Sequence, residues 1–291
     1  MSSAHQNVSQ RLWYALDVDI EPKAREAVEY ALMEAGSLGT ETNEAEEQAS
    51  KVIAYFNDLP NRAAVHAELA DALRLYNLPS SSVRGLKIRE FADEDWMGQW
   101  KKSWQPVETG RFIVAPPWTN IEDTHDRIVI HIEPGMAFGT GTHETTRLCL
   151  AAIEKYFRGS SFLDLGTGTG ILAIAAAKLF PDACIEAYDT DPAAIAIARE
   201  NARLNDVEEQ ISFRVGSLDQ TTASADIVCA NLTADVIASL LPALLSVTCG
   251  HLILSGILNT QAETVRARLL EFGVTAPFET IEEGEWVAMV I

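Results

Sequence analysis

Residues 162 to 179, FLDLGTGTGILAIAAAKL, place a short apolar run, the three glycines Gly166, Gly168 and Gly170, and an alanine-rich run in direct succession. A chain written this way passes from a buried strand through a tight turn into a helix, which commits it to an α/β architecture on a parallel sheet. Glycine in the turn leaves no Cβ between the backbone and a ligand. The spacing is GxGxG, whereas the dinucleotide fingerprint places its third glycine one position later, where this chain has Ile171. A pyrophosphate ligand is disfavoured, and with it a nicotinamide-dependent oxidoreductase. A purely structural turn is the other alternative to a ligand loop.

The residues around this turn favour the ligand. The next strand, CIEAYDTDP, carries Asp189, 23 positions after Gly166. A carboxylate at the carboxyl end of a second strand can accept hydrogen bonds from both ribose hydroxyls of an adenosine. Capping the next helix is its competing role, but Asp191 and Pro192 already read as the cap and first turn of PAAIAIARENARLN. SADIVCANLTADVI reads as a buried strand that delivers Asn231, both donor and acceptor, to the same edge of the sheet. Upstream, PGMAFGTGTHETT has the composition of a lid, with three glycines, one aromatic and several hydroxyls ahead of an apolar-periodic helix. Thr145 and Thr146 fall at that helix start, where hydroxyls and free backbone amides can hold a carboxylate. An ordinary cap is the alternative there, and His143 is assigned no role.

The first ninety residues follow another pattern. RLWYALDVDI reads as a strand, followed by a helix with Ala24, Val28, Ala31 and Leu32 on one face, ended by Gly36. SLGTETNEAEEQ is polar, a turn or frayed hairpin, before the strand KVIAYFND. A helix over NRAAVHAELADALRLYN and a last strand, SSVRGLKIREF, complete the split βαβ order of an α+β, ferredoxin-like domain. In ADEDWMGQWKKSWQ, the residues Trp96, Trp100 and Trp104 stack along one helical face, as in a helix packed between two domains. An aromatic substrate surface is the alternative. GRFIVAPPW and DRIVIHIEP then read as strands that open the second domain. The expected division is 1–91, a connector over 92–108, and 109–291.

A formal net charge of -20 argues against binding a phosphate backbone, which calls for clustered Lys and Arg. It suits solubility, or a basic partner. No apolar run reaches the roughly 18 residues of a membrane span, and MSSAHQNVSQ lacks the basic start and apolar run of a signal peptide, so a cytoplasmic protein is expected. A monomer is expected too, though nothing in the residues fixes the oligomeric state. Cys149, Cys184, Cys229 and Cys249 form no CxxC pair and are expected as buried free thiols. The dispersed histidines give no reason to expect a metal site.

Taken together, PGMAFGTGTHETTRLCL, LDLGTGTGILAIAAAKL, AYDTDPAAIAIARENARLN, ANLTADVI and GHLILSGIL resemble the bacterial methyltransferases of large-ribosomal-subunit protein eleven. The likeness covers most of residues 92–291, including EDWMGQWKKSWQP and the ending EEGEWVAMVI, while the first ninety residues match in pattern only. It implies a class I S-adenosylmethionine-dependent methyltransferase fold, Rossmann-like and doubly wound, with S-adenosyl-L-methionine contacted by Thr146, Gly166, Asp189 and Asn231. It further implies that Gly168 lets the backbone approach the cofactor and that Phe138 lies in the lid near the reactive end. The small domain would hold the protein substrate, whose lysine side chains and terminal amine receive methyl groups, and Asn231 is the candidate for orienting that amine. One departure is Leu232 followed by Thr233, where the family commonly has an aliphatic pair after the asparagine. A different protein or small-molecule acceptor, and a non-catalytic adenosine-binding module, are the rival readings, because acceptor choice lies in the first ninety residues.

Overall fold

The computed structural model describes residues 12–44, 50–92, 104–121, 124, 126–134, 139, 141–275 and 278–291. These form two compact units: one comprises the described residues up to 92 together with Pro134, the other those from 104 onward apart from Pro134.

The first unit runs β1 (Leu12–Ile20), α1 (Arg25–Glu34), β2 (Gly39–Glu44), β3 (Ser50–Phe56), α2 (Arg62–Leu75) and β4 (Val83–Ala92). Its sheet has the order β2-β3-β1-β4 with every neighbouring pair antiparallel, the ferredoxin-like arrangement. Alternation along β1 sends Leu16, Val18 and Ile20 into a core with Val28 and Leu32 of α1 and Leu69 and Leu73 of α2. On β1 between these residues, Asp17 takes a two-pronged hydrogen bond from Arg89, with Nη2 at 2.7 Å and Nε at 2.9 Å. The stretch expected as a polar turn or frayed hairpin contains a true strand, β2. It sits at the sheet edge with β3 as its neighbour, so it can be paired without the apolar pattern that a central strand shows.

The second unit is built on a seven-stranded sheet in the order β10-β9-β8-β11-β12-β14-β13. Its strands are β8 (Ser161–Leu165), β9 (Cys184–Asp189), β10 (Ile211–Val215), β11 (Ala225–Asn231), β12 (Thr248–Leu258), β13 (Glu279–Glu283) and β14 (Trp286–Val290). The pairings from β10 through β12 are parallel, and β14 runs antiparallel between β12 and β13. The helices are α3 (Glu144–Tyr156), α4 (Ile171–Leu179), α5 (Pro192–Leu204), α6 (Ala234–Val247) and α7 (Ala262–Glu271). Side chains of α3, α4 and α5 share one buried cluster, and those of α6 and α7 share another, as expected for a sheet covered on both faces. Ile171 through Ala177 are all buried, which explains why α4 is apolar all round.

From β8 the chain winds outward one way through β9 and β10, and the other way through β11 and β12. The carboxyl ends of β8 and β11 thus flank the switch point at which open α/β sheets bind ligands. The two strands expected to open this domain, β6 (Phe112–Ala115) and β7 (Ile128–His131), join β5 (Val107–Thr109) in a separate three-stranded sheet. Of the tryptophan helix expected over residues 92–105, positions 93–103 lie outside the described residues, Trp96 and Trp100 among them. Trp104 lies just before β5, in neither helix nor strand. Among the described residues no helix is long and apolar enough to cross a membrane.

Candidate active site

The glycine turn leaves β8 with Gly166 N and Thr167 N both donating to the Tyr188 carbonyl, at 2.8 and 2.9 Å. Gly166, Gly168 and Gly170 take φ values of 75°, 54° and 83°, the left-handed region that a Cβ disfavours. Gly166 differs from the sequence reading in one respect. A Cβ there would stand 2.4 Å from Leu232 Cδ2, so the group pressing on this glycine is a side chain from beyond β11 rather than open ligand space.

Asp189 anchors the turn. Its Oδ2 accepts from Gly168 N at 3.0 Å and its Oδ1 from Asp191 N at 3.0 Å. Each carboxylate oxygen offers about two acceptor sites, so both keep room for a hydroxyl. Asp191 is the helix cap, accepting from Ala193 N at 2.8 Å. Behind the turn, Thr167 Oγ1 donates to Asp164 Oδ2 at 2.7 Å. Burial pushes the Asp164 carboxyl up to about 7, and the charge of Asp189 adds to the rise, while the Thr167 hydroxyl and the Ala173 amide pull it down.

At the start of α3 the backbone amides of Thr145 and Thr146 are already taken. His143 is the cap: its Nδ1 lies 3.3 Å from Thr145 N, and its carbonyl accepts from Thr146 N at 3.1 Å. The expected use of free amides of Thr145 and Thr146 to hold a carboxylate is thereby corrected. The Thr146 hydroxyl remains available, since its Oγ1 is buried without a hydrogen-bond partner among the described residues. Asn231, at the end of β11, places Nδ2 3.3 Å from Thr145 Oγ1, and its Oδ1 is likewise buried without a partner among the described residues. Phe138 lies outside the described residues.

Further contacts support these groups, several of them from residues that the sequence reading did not name: Ser255, Trp286, Asn201 and Asn205. Thr145 Oγ1 is 2.9 Å from His143 Nδ1, Ser255 Oγ donates to the Thr145 carbonyl at 3.2 Å, and Trp286 meets the His143 ring edge-on at 4.9 Å. Asn201 on α5 and Asn205 at its cap bind the end of β7 and the chain leaving it. Asn201 Oδ1 accepts from Glu133 N at 3.0 Å, Asn205 Oδ1 accepts from His131 N at 2.9 Å, and Asn201 Nδ2 donates to the Thr169 carbonyl at 2.9 Å. Thr169 Oγ1 in turn donates to the Gly139 carbonyl at 2.6 Å. Two asparagines four apart in a run otherwise rich in Ala and Ile were the available signal, because buried amides demand partners. Of the cysteines, Cys149 and Cys229 are buried and Cys184 and Cys249 exposed, which corrects the expectation for the latter two. Cys149 beside it, together with burial, pushes the Cys229 thiol well up.

Around the switch point the fold has therefore gathered a carboxylate with spare acceptor capacity, a buried hydroxyl and a buried amide oxygen awaiting partners. These suit a ligand bearing ribose hydroxyls and an amino acid end, as S-adenosylmethionine does. Known proteins fit the same picture. A profile of the family described as ribosomal protein L11 methyltransferase (PrmA) matches residues 12–291. The chain belongs to this family. Family members include the ribosomal protein L11 methyltransferase of Myxococcus xanthus, 34% identical over 289 residues, or 94% of this chain and 96% of that protein. The protein of the same name from Desulfitobacterium hafniense is 42% identical over 212 residues, covering 71% of this chain and 66% of its own length. A crystal structure of the ribosomal protein L11 methylase from Lactobacillus delbrueckii subsp. bulgaricus superimposes with a TM-score of 0.58 at 30% identity, over 64% of this chain and 96% of that one. The protein is accordingly an enzyme, a methyltransferase that uses S-adenosylmethionine on a class I fold.

Proposed function

We propose that the protein methylates lysine side chains, and the terminal amine, of large-ribosomal-subunit protein L11 in the cytoplasm. The observation that carries this reading is the reach of the family match, which runs from residue 12 through both compact units and so includes the part where acceptor choice lies. Residues 1–91 serve as the substrate-holding domain, 92–108 as the connector, and 109–291 as the methyltransferase domain.

S-adenosylmethionine supplies an electrophilic methyl group on a sulfonium. The side chains do the rest by position. Asp189 accepts the ribose hydroxyls with its spare lone pairs, and the Gly166 to Gly168 turn carries the backbone past the nucleoside. The Thr146 hydroxyl and the Asn231 amide meet the amino acid end, with Phe138 in the lid near the reacting carbon. Asn231 also faces the incoming amine. A lysine arrives charged, its reference pKa being about 10.4, and loses its proton to solvent or to a pocket that disfavours the cation. Once the amine is neutral, alignment with the methyl-sulfur bond supplies most of the acceleration.

The decisive experiment incubates the purified protein with methyl-labelled S-adenosylmethionine and ribosomal proteins from a strain lacking this gene, then identifies the labelled band by mass spectrometry. Methyl-lysine on L11 is the expected result. Label on another molecule would overturn the acceptor and keep the reaction, and cofactor binding without any label would favour a binding module.

A further inference from the structure

His143, Thr145 and Asn231 form a chain of hydrogen bonds whose direction is set by one donor, the backbone N–H of Thr145. That N–H meets His143 Nδ1 at 3.3 Å, and a backbone amide can only donate. Nδ1 must carry a lone pair, so the imidazole is the neutral tautomer with its proton on Nε2. The Thr145 hydroxyl, 2.9 Å from the same Nδ1, can only donate its proton there. Its oxygen is left as acceptor, and the Asn231 amide, 3.3 Å away, must meet it with Nδ2. This decides an orientation that the shape of an amide alone leaves open. Asn231 Oδ1 is thereby turned away from Thr145, buried and without a partner among the described residues. Trp286, with its ring plane at 66° to the imidazole, and Ser255, bonded to the Thr145 carbonyl, brace the chain from β14 and β12.

We infer that His143, acting through Thr145, is a positioning residue that presents the Asn231 carbonyl oxygen to an N–H of the methyl-accepting amine. The inference rests on the methyltransferase reading above. A neutral primary amine has two hydrogens and one lone pair, and the lone pair must point at the methyl carbon. An acceptor for one N–H fixes the rotation about the carbon-nitrogen bond and leaves the lone pair free. A flipped Asn231 amide would instead donate to that lone pair and occupy the electrons that form the new bond. Protonation of His143 puts a hydrogen on Nδ1, removes the acceptor for the Thr145 N–H and hydroxyl, and releases the Asn231 amide to flip. The charged groups around the ring are Glu144, with Oε2 4.0 Å from Nδ1, and Arg147, which binds Glu144 at 3.1 Å and Glu283 at 2.7 Å.

The test has a structural arm and a kinetic arm. Nitrogen chemical shifts of His143 in the labelled, cofactor-free protein should report a bare Nδ1 and a protonated Nε2, and the opposite tautomer would overturn the inference. Thr145→Val and His143→Ala should each lower kcat at saturating cofactor roughly three- to tenfold, the scale of one hydrogen bond, and, because Asn231 also meets the amino acid end of the cofactor, should raise the cofactor Kd by no more than that. The double variant should fall no further than either single one, because both break the same chain. Thr145→Ser should recover turnover. So should His143→Asn, whose Oδ1 can replace Nδ1 as acceptor and takes no proton, so that the acid limb of the pH profile due to this ring disappears. Additive losses, a loss of cofactor affinity with kcat at saturating cofactor unchanged, or no recovery in the conservative variants would overturn the inference. If His143→Ala does not fold, the Thr145→Val and Thr145→Ser pair decides alone. Failure of the unaltered enzyme to label any amine would overturn the methyltransferase reading and this inference together, whereas a labelled amine with unaffected variants would overturn this inference only.

Discussion

Asp164 is a carboxyl placed where charge is expensive, buried behind the glycine turn and held up at about 7 by that burial. An unfolded aspartate titrates near 3.9, so below roughly pH 4 the group is neutral in both states and costs nothing. As pH rises from about 4 to 7 the unfolded chain ionises while the folded one keeps its proton, and stability falls; above about 7 the loss is complete and flat. Asp164→Asn retains an acceptor for the Thr167 hydroxyl and cannot ionise, so its stability relative to the parent should improve across that window. Urea unfolding at pH values from 5 to 8 measures this, and a pH-independent difference would mean that the folded carboxyl is already ionised. A second substitution addresses the ligand. Asp189→Ala removes the acceptor proposed for two ribose hydroxyls, and cofactor affinity by calorimetry should drop at least tenfold, a few hydrogen bonds to a charged acceptor being at stake. Asn231→Ala should weaken cofactor binding and turnover together, and unchanged kinetics would remove it from the site. The places of Gly166, Asp189 and Asn231 at the turn and strand ends were legible in the sequence because a glycine turn or a lone polar residue ending an apolar run shows up in one dimension. His143 was not, for two reasons. Histidine lies outside the usual set of helix caps, and its link to Asn231 joins α3 to the end of β11, far along the chain.

The elements that the sequence marked best are those with a strong period, α2, α3 and α5, and the apolar strands β8 and β11. The edge strand β2 stayed undecided between a turn and a frayed hairpin because pairing on one side leaves the residue choice free. The separate β5-β6-β7 sheet escaped because short apolar runs do not say which sheet they join. At this scale the least visible feature is the strap that α5 forms, with Asn201 bonding Glu133 N and the Thr169 carbonyl at once. Asn201 is fully buried, so Asn201→Ala would leave both partners without their bond. The expected loss is about 2–4 kcal/mol by denaturant unfolding, two buried groups being orphaned. Arg203 on the same helix is exposed and pairs with Glu200 and Glu208, so Arg203→Ala should leave stability nearly unchanged. A similar loss in both variants would show that the strap contributes no more than a surface ion pair.

The whole molecule carries a net charge of -20, which is spread along the chain rather than confined to a tail, and this bears on the acceptor more than on the fold. A ribosomal protein sits against RNA phosphates and so presents clustered lysine and arginine. An acidic enzyme attracts such a surface at long range, raising the encounter rate without touching the chemistry of methyl transfer. S-adenosylmethionine has far fewer charges, and in the proposed site it would be held by hydrogen bonds within the turn, where salt screens poorly. The two substrates should therefore separate under salt. Between about 0.05 and 0.5 M sodium chloride the screening length shrinks from above 10 Å to a few ångströms. Over that range the KM for the protein acceptor should rise several-fold, mostly through a slower association rate, while the KM for the cofactor and kcat stay level. Steady-state kinetics with each substrate varied in turn, supported by stopped-flow association of the acceptor, resolves the two effects. A flat response for the acceptor would assign the excess of acidic residues to solubility alone, and recognition would then rest on the short-range shape of the first ninety residues.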